Sequence, residues 1–323
     1  MNHLSRRGFL QSVGAATIVA TVAGRVAAPH EAQAAAATAG QVRFGVQVVP
    51  QHTTYADILQ TMREADDLGF DTGFLFDHFV PIMSDPNGPC FEGWTLLSAM
   101  AAQTKRMRVG LLVTGNTYRN PALVAKMAAT VDHVSNGRVI LGLGAAWFEL
   151  EHTAYGIPFY TTGERAKRLG EAVEVIKLLL TQPKSSFNGK YYQLKDALCE
   201  PKPVQKPHIP LLIGGVGPKR IQPLAAKHAD IWHFFPSKDE DVKPMCQKFD
   251  ALCQQAGRDP GQVEKSMSLR AQHLTGSTEE VRGRVQSFVD AGVRHVIVSM
   301  APPYDRALMR KFAKEVIPAF RKA

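Results

Sequence analysis

Residues 109–143, VGLLVTGNTYRNPALVAKMAATVDHVSNGRVILGL, decide the fold class. Two nearly continuous apolar runs, 109–114 and 138–143, flank a segment in which Leu123, Met127 and Val131 recur at helical spacing. Pro121 stands in the first turn of that segment, where a missing backbone N–H costs a helix nothing. Short apolar runs are typical of parallel strands buried on both faces. The stretch therefore predicts a strand–helix–strand unit of a parallel sheet.

The same alternation continues outward in both directions and amounts to eight strand–helix pairs. Eight units predict an α/β protein with a closed (β/α)8 TIM barrel, because an open doubly wound sheet usually has fewer units and a switch point. An insertion, 183–208, follows the fourth helix and contains the hairpin signal Asn188-Gly189. The predicted strands are 42–48, 72–76, 109–114, 138–143, 210–214, 230–234, 265–271 and 295–299. The predicted helices are 53–69, 93–104, 121–134, 163–180, 217–228, 239–256, 278–291 and 304–320.

Length and composition suit this fold. The chain has 323 residues, of which 45% are hydrophobic and 21% charged, and this excludes a disordered, collagenous or disulfide-scaffold protein. The length alone allows one barrel or about two domains. A net charge of +9 would suit a protein that binds nucleic acid or an anionic membrane. The basic residues are spread over several helices, however, which favours a solvated surface and no nucleic-acid partner.

The N-terminus has the composition of an export signal. Ser5-Arg6-Arg7-Gly8-Phe9-Leu10 precedes a weakly apolar run, 13–23, and small residues follow around Ala32-Gln33-Ala34. The apolar run is about half the ~20 residues that span a membrane. We therefore expect residues 1–39 to be a removable twin-arginine signal and 40–323 the mature barrel, without a membrane span. The twin-arginine export machinery would then be a partner that delivers the folded protein to the periplasm, cell envelope or medium. The alternative is that residues 1–39 are a disordered cytoplasmic tail.

The barrel fold predicts where the site lies, because loops after the C-terminal ends of the strands line the active site of such barrels. This rule selects residues that follow the first five predicted strands. They are Gln47, Val48 and Val49 after the first strand, Asp77, His78 and Phe79 after the second, Thr114, Gly115 and Asn116 after the third, Gly144 to Trp147 after the fourth, and Gly214 to Gly217 after the fifth.

Asp77, His78 and Trp147 are the candidate catalytic residues among these. A histidine can polarise or protonate a bound ring, with Asp77 setting its tautomer or holding the loop. The structural alternative is an aspartate that caps a helix and a hydrogen-bonded histidine. Trp147 stands where its ring could stack on a planar cofactor, whereas Trp94 and Trp232 fall inside a helix and a strand and are expected in the core.

Two glycine-containing turns are candidate ligand contacts. Ile213-Gly214-Gly215-Val216-Gly217-Pro218-Lys219-Arg220 leads from a strand into a helix, where free N–H groups and positive charge would suit a phosphate. A plain tight turn is the alternative. Gly142 and Gly144 form only part of a dinucleotide fingerprint, so we interpret them as letting a flat ligand approach the fourth strand.

Other chemistries lack a signal. Neither CxxC, HExxH nor GxSxG occurs, so no metal site and no nucleophilic serine are predicted. Cys246 and Cys253 are seven residues apart on one predicted helix, about 10 Å along its axis, which is too far for a disulfide. The four cysteines are expected to be mostly packed free thiols, with a bond between Cys90 and Cys199 left open.

Several motifs, in order and with their spacing, resemble the bacterial-luciferase-like family from about residue 42 to 320. They are FGVQ (44–47), DHF (77–79), LVTGNTYRNP (112–121), GRVILGLG (137–144), YGIPF (155–159) with TGER (162–165), and PKPVQ (201–205) leading into LIGG (212–215). The resemblance is strongest to the branch that uses coenzyme F420, an 8-hydroxy-5-deazaflavin, rather than FMN.

The resemblance implies an oxidoreductase with a ring cofactor at the barrel mouth and hydride transfer at the ring face. His78 would lie near the ring. The stretch from Leu112 through Val113 to Asn116 would carry a bulge with a non-proline cis peptide that supports the ring. Val216, Gly217 and Pro218, with Arg220 beside them, would hold the coenzyme phosphate. Members often dimerise, so a homodimer is expected.

Three functions remain open at this point. They are an F420-dependent oxidoreductase acting on a small organic substrate, an FMN-dependent monooxygenase that uses reduced flavin and O2, and a non-catalytic flavin- or deazaflavin-binding protein. In sugar-phosphate dehydrogenases of the family a glutamate after the fourth strand acts as an acid, and Trp147 stands at that place here. Glu149 or Glu151 could substitute for it, but sugar-phosphate oxidation is not expected.

Overall fold

Eight parallel strands in the part of the chain that the structure, a computed structural model, describes (residues 41–321) close into a barrel. Each pairs with its neighbours in sequence order. Arg43 is opposite His295, and the ring closes where Val109 and Gly110 pair with Val139 and Ile140. The predicted TIM barrel is confirmed. The strands are β1 (Arg43–Val48), β2 (Thr72–Leu75), β3 (Arg108–Leu111) with its continuation β4 (Thr114–Gly115), β5 (Val139–Gly144), β8 (Leu211–Gly214), β9 (Ile231–Phe234), β10 (Glu264–Leu269) and β11 (His295–Met300); β6 (Ser185–Asn188) and β7 (Gln193–Ala197) form a separate hairpin.

Helices follow the strands and cover the outside of the barrel. Thr54 accepts a hydrogen bond from Asp57 at the start of the first, and Ser277 and Glu280 form a capping box before the eighth. The helices are α1 (Tyr55–Asp67), α2 (Gly93–Gln103), α3 (Pro121–Val134), α4 (Glu149–Ala154), α5 (Thr162–Thr181), α6 (Ile221–His228), α7 (Val242–Gln255), α8 (Thr278–Asp290) and α9 (Arg306–Lys311).

Each strand buries both of its faces, which explains the continuous apolar runs. Successive side chains alternate between the barrel interior and the layer under the helices. Ile140 belongs to the small interior cluster, whereas Val139 and Leu141 pack in the larger outer core. The interior cluster contains Phe74, Leu112, Ile140, Leu212, Ile231 and Ile297.

The third strand departs from its predicted range of 109–114. Strand β3 ends at Leu111, the peptide bond from Leu112 to Val113 is cis, and pairing resumes at Thr114 in β4. The bulge with a non-proline cis peptide that the resemblance implies is therefore present.

Four other elements differ from prediction. Helix α6 begins at Ile221 rather than 217. The last predicted helix is α-helical only as far as Lys311, after which the chain forms a π-helical turn and a final 3-10 turn. Helix α4 was not predicted. The hairpin forms at Asn188-Gly189, but its loop spans four residues, 189–192, rather than two.

The four cysteines are free thiols, so Cys90 and Cys199 do not pair. The described residues contain no group of three or more side chains suited to a metal ion and no helix long and apolar enough to cross a membrane. The predicted export signal, 1–39, lies outside the described residues.

Candidate functional site

A cavity of about 770 Å³ opens at the C-terminal ends of the barrel strands. Its size falls within the range of small-molecule and cofactor sites. The predicted site residues that line it are Gln47, Asp77, His78, Leu112, Val113, Gly115, Gly144, Trp147 and Gly215. The remaining six, Thr114, Asn116, Val216, Gly217, Pro218 and Arg220, are not among its lining residues.

His78 is held by a carboxylate that the sequence analysis named only as a substitute acid. Its Nδ1 lies 2.7 Å from Oε1 of Glu151, while Oε2 of Glu151 accepts the backbone N–H of Phe79 at 2.8 Å. The hydroxyl of Tyr118 also donates to Oε1. An ionised carboxylate accepts hydrogen bonds only, so Nδ1 carries the proton and Nε2 is the ring nitrogen left for a ligand.

Glu151 is buried completely, and its charge is stabilised by these contacts. Burial alone raises the pKa of a carboxyl group, but the hydrogen bonds from His78, Tyr118 and Phe79 hold the pKa of Glu151 below its ordinary value. The site therefore keeps an ionised carboxylate behind the histidine, where it accepts the hydrogen bond from Nδ1.

Asp77 holds the loop and does not set the tautomer of His78. Its carboxylate accepts the backbone N–H of Gly115 at 3.0 Å and two hydrogen bonds from Arg119, at 2.7 and 3.0 Å. Arg119 also donates to Glu92, which caps helix α2 in place of Asp77. The Asp77–Arg119 pair thus ties the loop after β2 to the bulge after β3.

Gln47 supports the cis peptide from the floor of the cavity. Its Nε2 donates to the carbonyl of Leu112 at 3.1 Å, and its Oε1 accepts from Ser299 at 3.4 Å. Glutamine suits this position because its amide both donates and accepts. The contact fixes the orientation of the Leu112–Val113 peptide.

The glycines at the end of β5 make room for the bulge after β3. A Cβ at Gly144 would lie 2.5 Å from Cγ2 of Val113, and one at Gly214 would lie 2.9 Å from its Cγ1. A Cβ at Gly142 would lie 2.0 Å from the carbonyl oxygen of Leu111. Val113 thus fills the space beside Gly144 and itself faces the cavity, and the approach of a flat ligand to the fourth predicted strand stays a prediction.

The turn after β8 borders the cavity at Gly215. Gly215 has a φ of 134°, a backbone conformation that residues with a side chain rarely adopt. Its carbonyl accepts a hydrogen bond from the indole N–H of Trp232 at 2.9 Å. The N–H groups of Ile221 and Gln222 donate to the carbonyl of Gly217, so these two are not free for a phosphate. Val216, Pro218 and Arg220 are exposed beside the mouth, and their phosphate contact stays a prediction.

Thr114 and Asn116 are not among the lining residues of the cavity, and their contact with a cofactor stays a prediction. Thr114 is fully buried, and its hydroxyl has no hydrogen-bond partner within residues 41–321. Asn116 donates to the hydroxyl of Tyr192 at 3.3 Å and so connects the bulge to the hairpin insertion.

Trp147 lines the cavity and is 60% exposed, whereas Trp94 and Trp232 are buried in the core as expected. Sequence reasoning missed Tyr118 and Arg119, and it gave Glu151 no link to His78. For Glu151 the available signal was its spacing. Trp147, Glu151 and Tyr155 recur every four residues after the fourth strand, which is typical of one helix face.

Comparison with known proteins places the chain in the luciferase-like monooxygenase family, whose pattern matches residues 32–310. An F420-dependent glucose-6-phosphate dehydrogenase of Kineococcus radiotolerans is 28% identical over 313 residues, covering 80% of this chain and 91% of that protein. A second enzyme of that name, from Microbacterium testaceum, is 30% identical over 235 residues, covering 72% and 68%.

Solved structures share the fold. An F420-dependent secondary alcohol dehydrogenase, in complex with an F420-acetone adduct, superposes with a TM-score of 0.78 at 23% identity, covering 87% of this chain and all of that one. A long-chain alkane monooxygenase superposes with a TM-score of 0.74 at 15% identity, covering 87% and 91%. The predicted family is confirmed, with the F420-dependent branch among its relatives, and the chain is an oxidoreductase.

Proposed function

We propose that the protein binds coenzyme F420 at the barrel mouth and transfers a hydride between the deazaflavin ring and a small organic substrate. The observation that carries the proposal is the His78–Glu151 pair at the wall of a cavity large enough for a ring and a second molecule. The F420-dependent relatives support the choice of coenzyme.

The cavity fits a planar, mostly apolar ring with an anionic tail. Val113, which fills the space beside Gly144 and Gly214, and Val298 offer apolar surface at the strand ends. Exposed Arg220, in the turn between the lining residues Gly215 and Ile221, would provide positive charge for the tail. The bound deazaflavin would supply a carbon centre that accepts or gives a hydride.

His78 would move the proton that accompanies the hydride. When an alcohol is oxidised, Nε2 takes the hydroxyl proton; when a carbonyl is reduced, Nε2 returns it. The ring is held at Nδ1 by its hydrogen bond to Glu151, which leaves Nε2 for the substrate oxygen. Gln47 and the Asp77–Arg119 pair keep the loops that flank the histidine in place.

Equilibrium titrations of the purified protein with coenzyme F420 and with FMN test the proposal. We expect saturable binding of F420, followed by a fluorescence change of the coenzyme upon hydride transfer. Tight binding of FMN without binding of F420 would overturn the proposal in favour of a monooxygenase. A bound coenzyme that no candidate substrate oxidises or reduces faster than buffer would favour the non-catalytic alternative.

The variant His78→Ala tests the proton role. We expect it to bind the coenzyme but to lose roughly 100-fold or more in turnover, the usual contribution of a positioned acid–base group. The exposed His133, on helix α3, offers a matched control, and His133→Ala should turn over normally. Unchanged turnover in His78→Ala contradicts the role.

We also propose that residues 1–39 direct export through the twin-arginine machinery. The Arg6-Arg7 pair, the short apolar run and the small residues after it support this. Since that machinery carries folded proteins, the coenzyme would be bound in the cytoplasm before transport.

A further inference from the structure

A buried histidine lies between two serines inside the barrel, and the proposed reaction does not use it. His233 is two residues beyond Ile231 on β9, so it shares the interior face of that strand. Its Nδ1 lies 3.0 Å from Oγ of Ser266, and its Nε2 lies 3.2 Å from Oγ of Ser268. Branched apolar residues usually fill the interior of such barrels, and buried polar groups are costly unless they are hydrogen-bonded. These three side chains therefore call for a function.

The hydrogen-bonded chain reaches the cavity at Ser268. Its side chain lines the cavity, whereas His233 and Ser266 are completely buried beneath it and do not. The chain thus joins the cavity wall to the barrel interior.

Three hydroxyl side chains line the cavity, and two of them spend their proton within the protein. Tyr118 donates to Glu151, and Ser299 donates to Oε1 of Gln47 at 3.4 Å. The third is Ser268, whose hydrogen bond is the one with Nε2 of His233. The direction of that bond decides whether Ser268 has a proton to offer to the cavity.

The direction follows from the buried donors. Burial lowers the pKa of His233 to about 3, so the ring is neutral and one of its nitrogens carries a proton. Within residues 41–321 the hydroxyl of Ser266 makes its hydrogen bond with Nδ1 of His233. A proton on Nδ1 would leave the buried O–H of Ser266 without an acceptor, which is costly. Every donor is satisfied when Ser266 donates to Nδ1 and Nε2–H donates to Ser268.

We propose that Ser268 presents its O–H as a hydrogen-bond donor to the molecule bound in the cavity, and that His233 and Ser266 are positioning residues that fix this direction. Because Oγ of Ser268 accepts Nε2–H, its own proton is left without an acceptor among the described residues. The bound molecule must therefore place an acceptor atom against Ser268. The inference rests on the proposed function, since the carbonyl oxygens and unprotonated ring nitrogens of a deazaflavin are such acceptors.

The ¹⁵N chemical shifts of the imidazoles test the direction in the native protein without any ligand. We expect His233 to show a protonated Nε2 and an unprotonated Nδ1, opposite to the tautomer expected for His78. The signals of His233 are assigned by their loss in His233→Gln. A protonated Nδ1 in His233, or a doubly protonated ring at neutral pH, overturns the inference.

Two variants test the contact with the ligand by equilibrium titration with oxidised F420. Ser268→Ala should weaken binding roughly 2- to 12-fold, the fold-change that corresponds to one hydrogen bond. Ser268→Cys keeps the size of the side chain but has a weak donor, so it should also weaken binding. The matched control is Ser287→Ala, at an exposed position on helix α8, and circular dichroism checks that each variant is folded. Native affinity in both Ser268 variants overturns the inference.

The two proposals fail separately. If F420 binds the native protein and both Ser268 variants equally, the donor role of Ser268 is wrong and the coenzyme stands. If F420 does not bind the native protein, the proposed function is wrong, while the tautomer of His233 still decides the direction of the chain. The same variants are then titrated with FMN, whose ring carries acceptor atoms of the same kinds, and unchanged affinity for FMN overturns the contact.

Discussion

Replacing Glu151 by glutamine tests whether the buried carboxylate organises the site. The carboxylate accepts three donors: Nδ1–H of His78, the hydroxyl of Tyr118 and the backbone N–H of Phe79. A glutamine of nearly the same size has a single acceptor oxygen. If that oxygen serves His78 and Tyr118 on one side, the new amide N–H group faces the N–H of Phe79 on the other.

The size of the effect follows from this conflict. One buried donor left without a partner costs about 1–3 kcal/mol, and the charge assistance of the other two bonds is lost as well. We expect E151Q to lower the free energy of unfolding by about 2–4 kcal/mol. For a barrel of this size that corresponds to a fall in melting temperature of roughly 5–10 °C.

Calorimetry and guanidinium unfolding measure the stability, and the ¹⁵N chemical shifts of the imidazole report the tautomer. In the native protein His78 should show a protonated Nδ1 and an unprotonated Nε2, and E151Q should shift both signals. The control is Glu149→Gln, the same change two residues earlier at an exposed position. If E151Q matches the control in melting temperature and in ¹⁵N shifts, Glu151 does not position His78.

Three further predictions concern other parts of the chain. Gly144→Ala should push Val113 away and cost about 1–3 kcal/mol of stability, measured by guanidinium unfolding. Burial lowers the pKa of His233 to about 3. Unfolding therefore takes up a proton at His233 below pH ~6.5. The free energy of unfolding should fall by up to about 1.4 kcal/mol per pH unit as the pH drops from there towards 3. A flatter slope in His233→Gln would confirm the cause. Changing Arg6-Arg7 to Lys-Lys should leave the protein in the cytoplasm on cell fractionation, and unchanged export would contradict the signal.

The prediction of the barrel succeeded because its signals are local. Parallel strands are buried on both faces, so each run of Val, Ile and Leu marks a strand without any knowledge of its neighbours. The ends of elements were less accurate. The range 217–228 was predicted as one helix, but the helix begins only at Ile221. Gly215 and Gly217 allow a turn before it, and hydrogen bonds from the side chains of Trp232 and Gln222 to the backbone stabilise that turn.

The site was predicted in part for the same reason. The strand-end rule found Gln47, Asp77 and His78, since chain position alone places them at the mouth. It could not give their partners. Asp77 bonds to Arg119, 42 residues away, and His78 to Glu151, 73 residues away, and no periodicity links positions so far apart.

The sequence by itself determined the strand–helix alternation, the family and the edge of the barrel at which chemistry can occur, because each follows from local patterns of side chains. The tertiary structure alone decided which carboxylate holds His78, that Val113 fills the space above Gly144, and that side chains from separate loops line one cavity. These depend on barrel closure, which brings the ends of distant strands within hydrogen-bond and van der Waals distance.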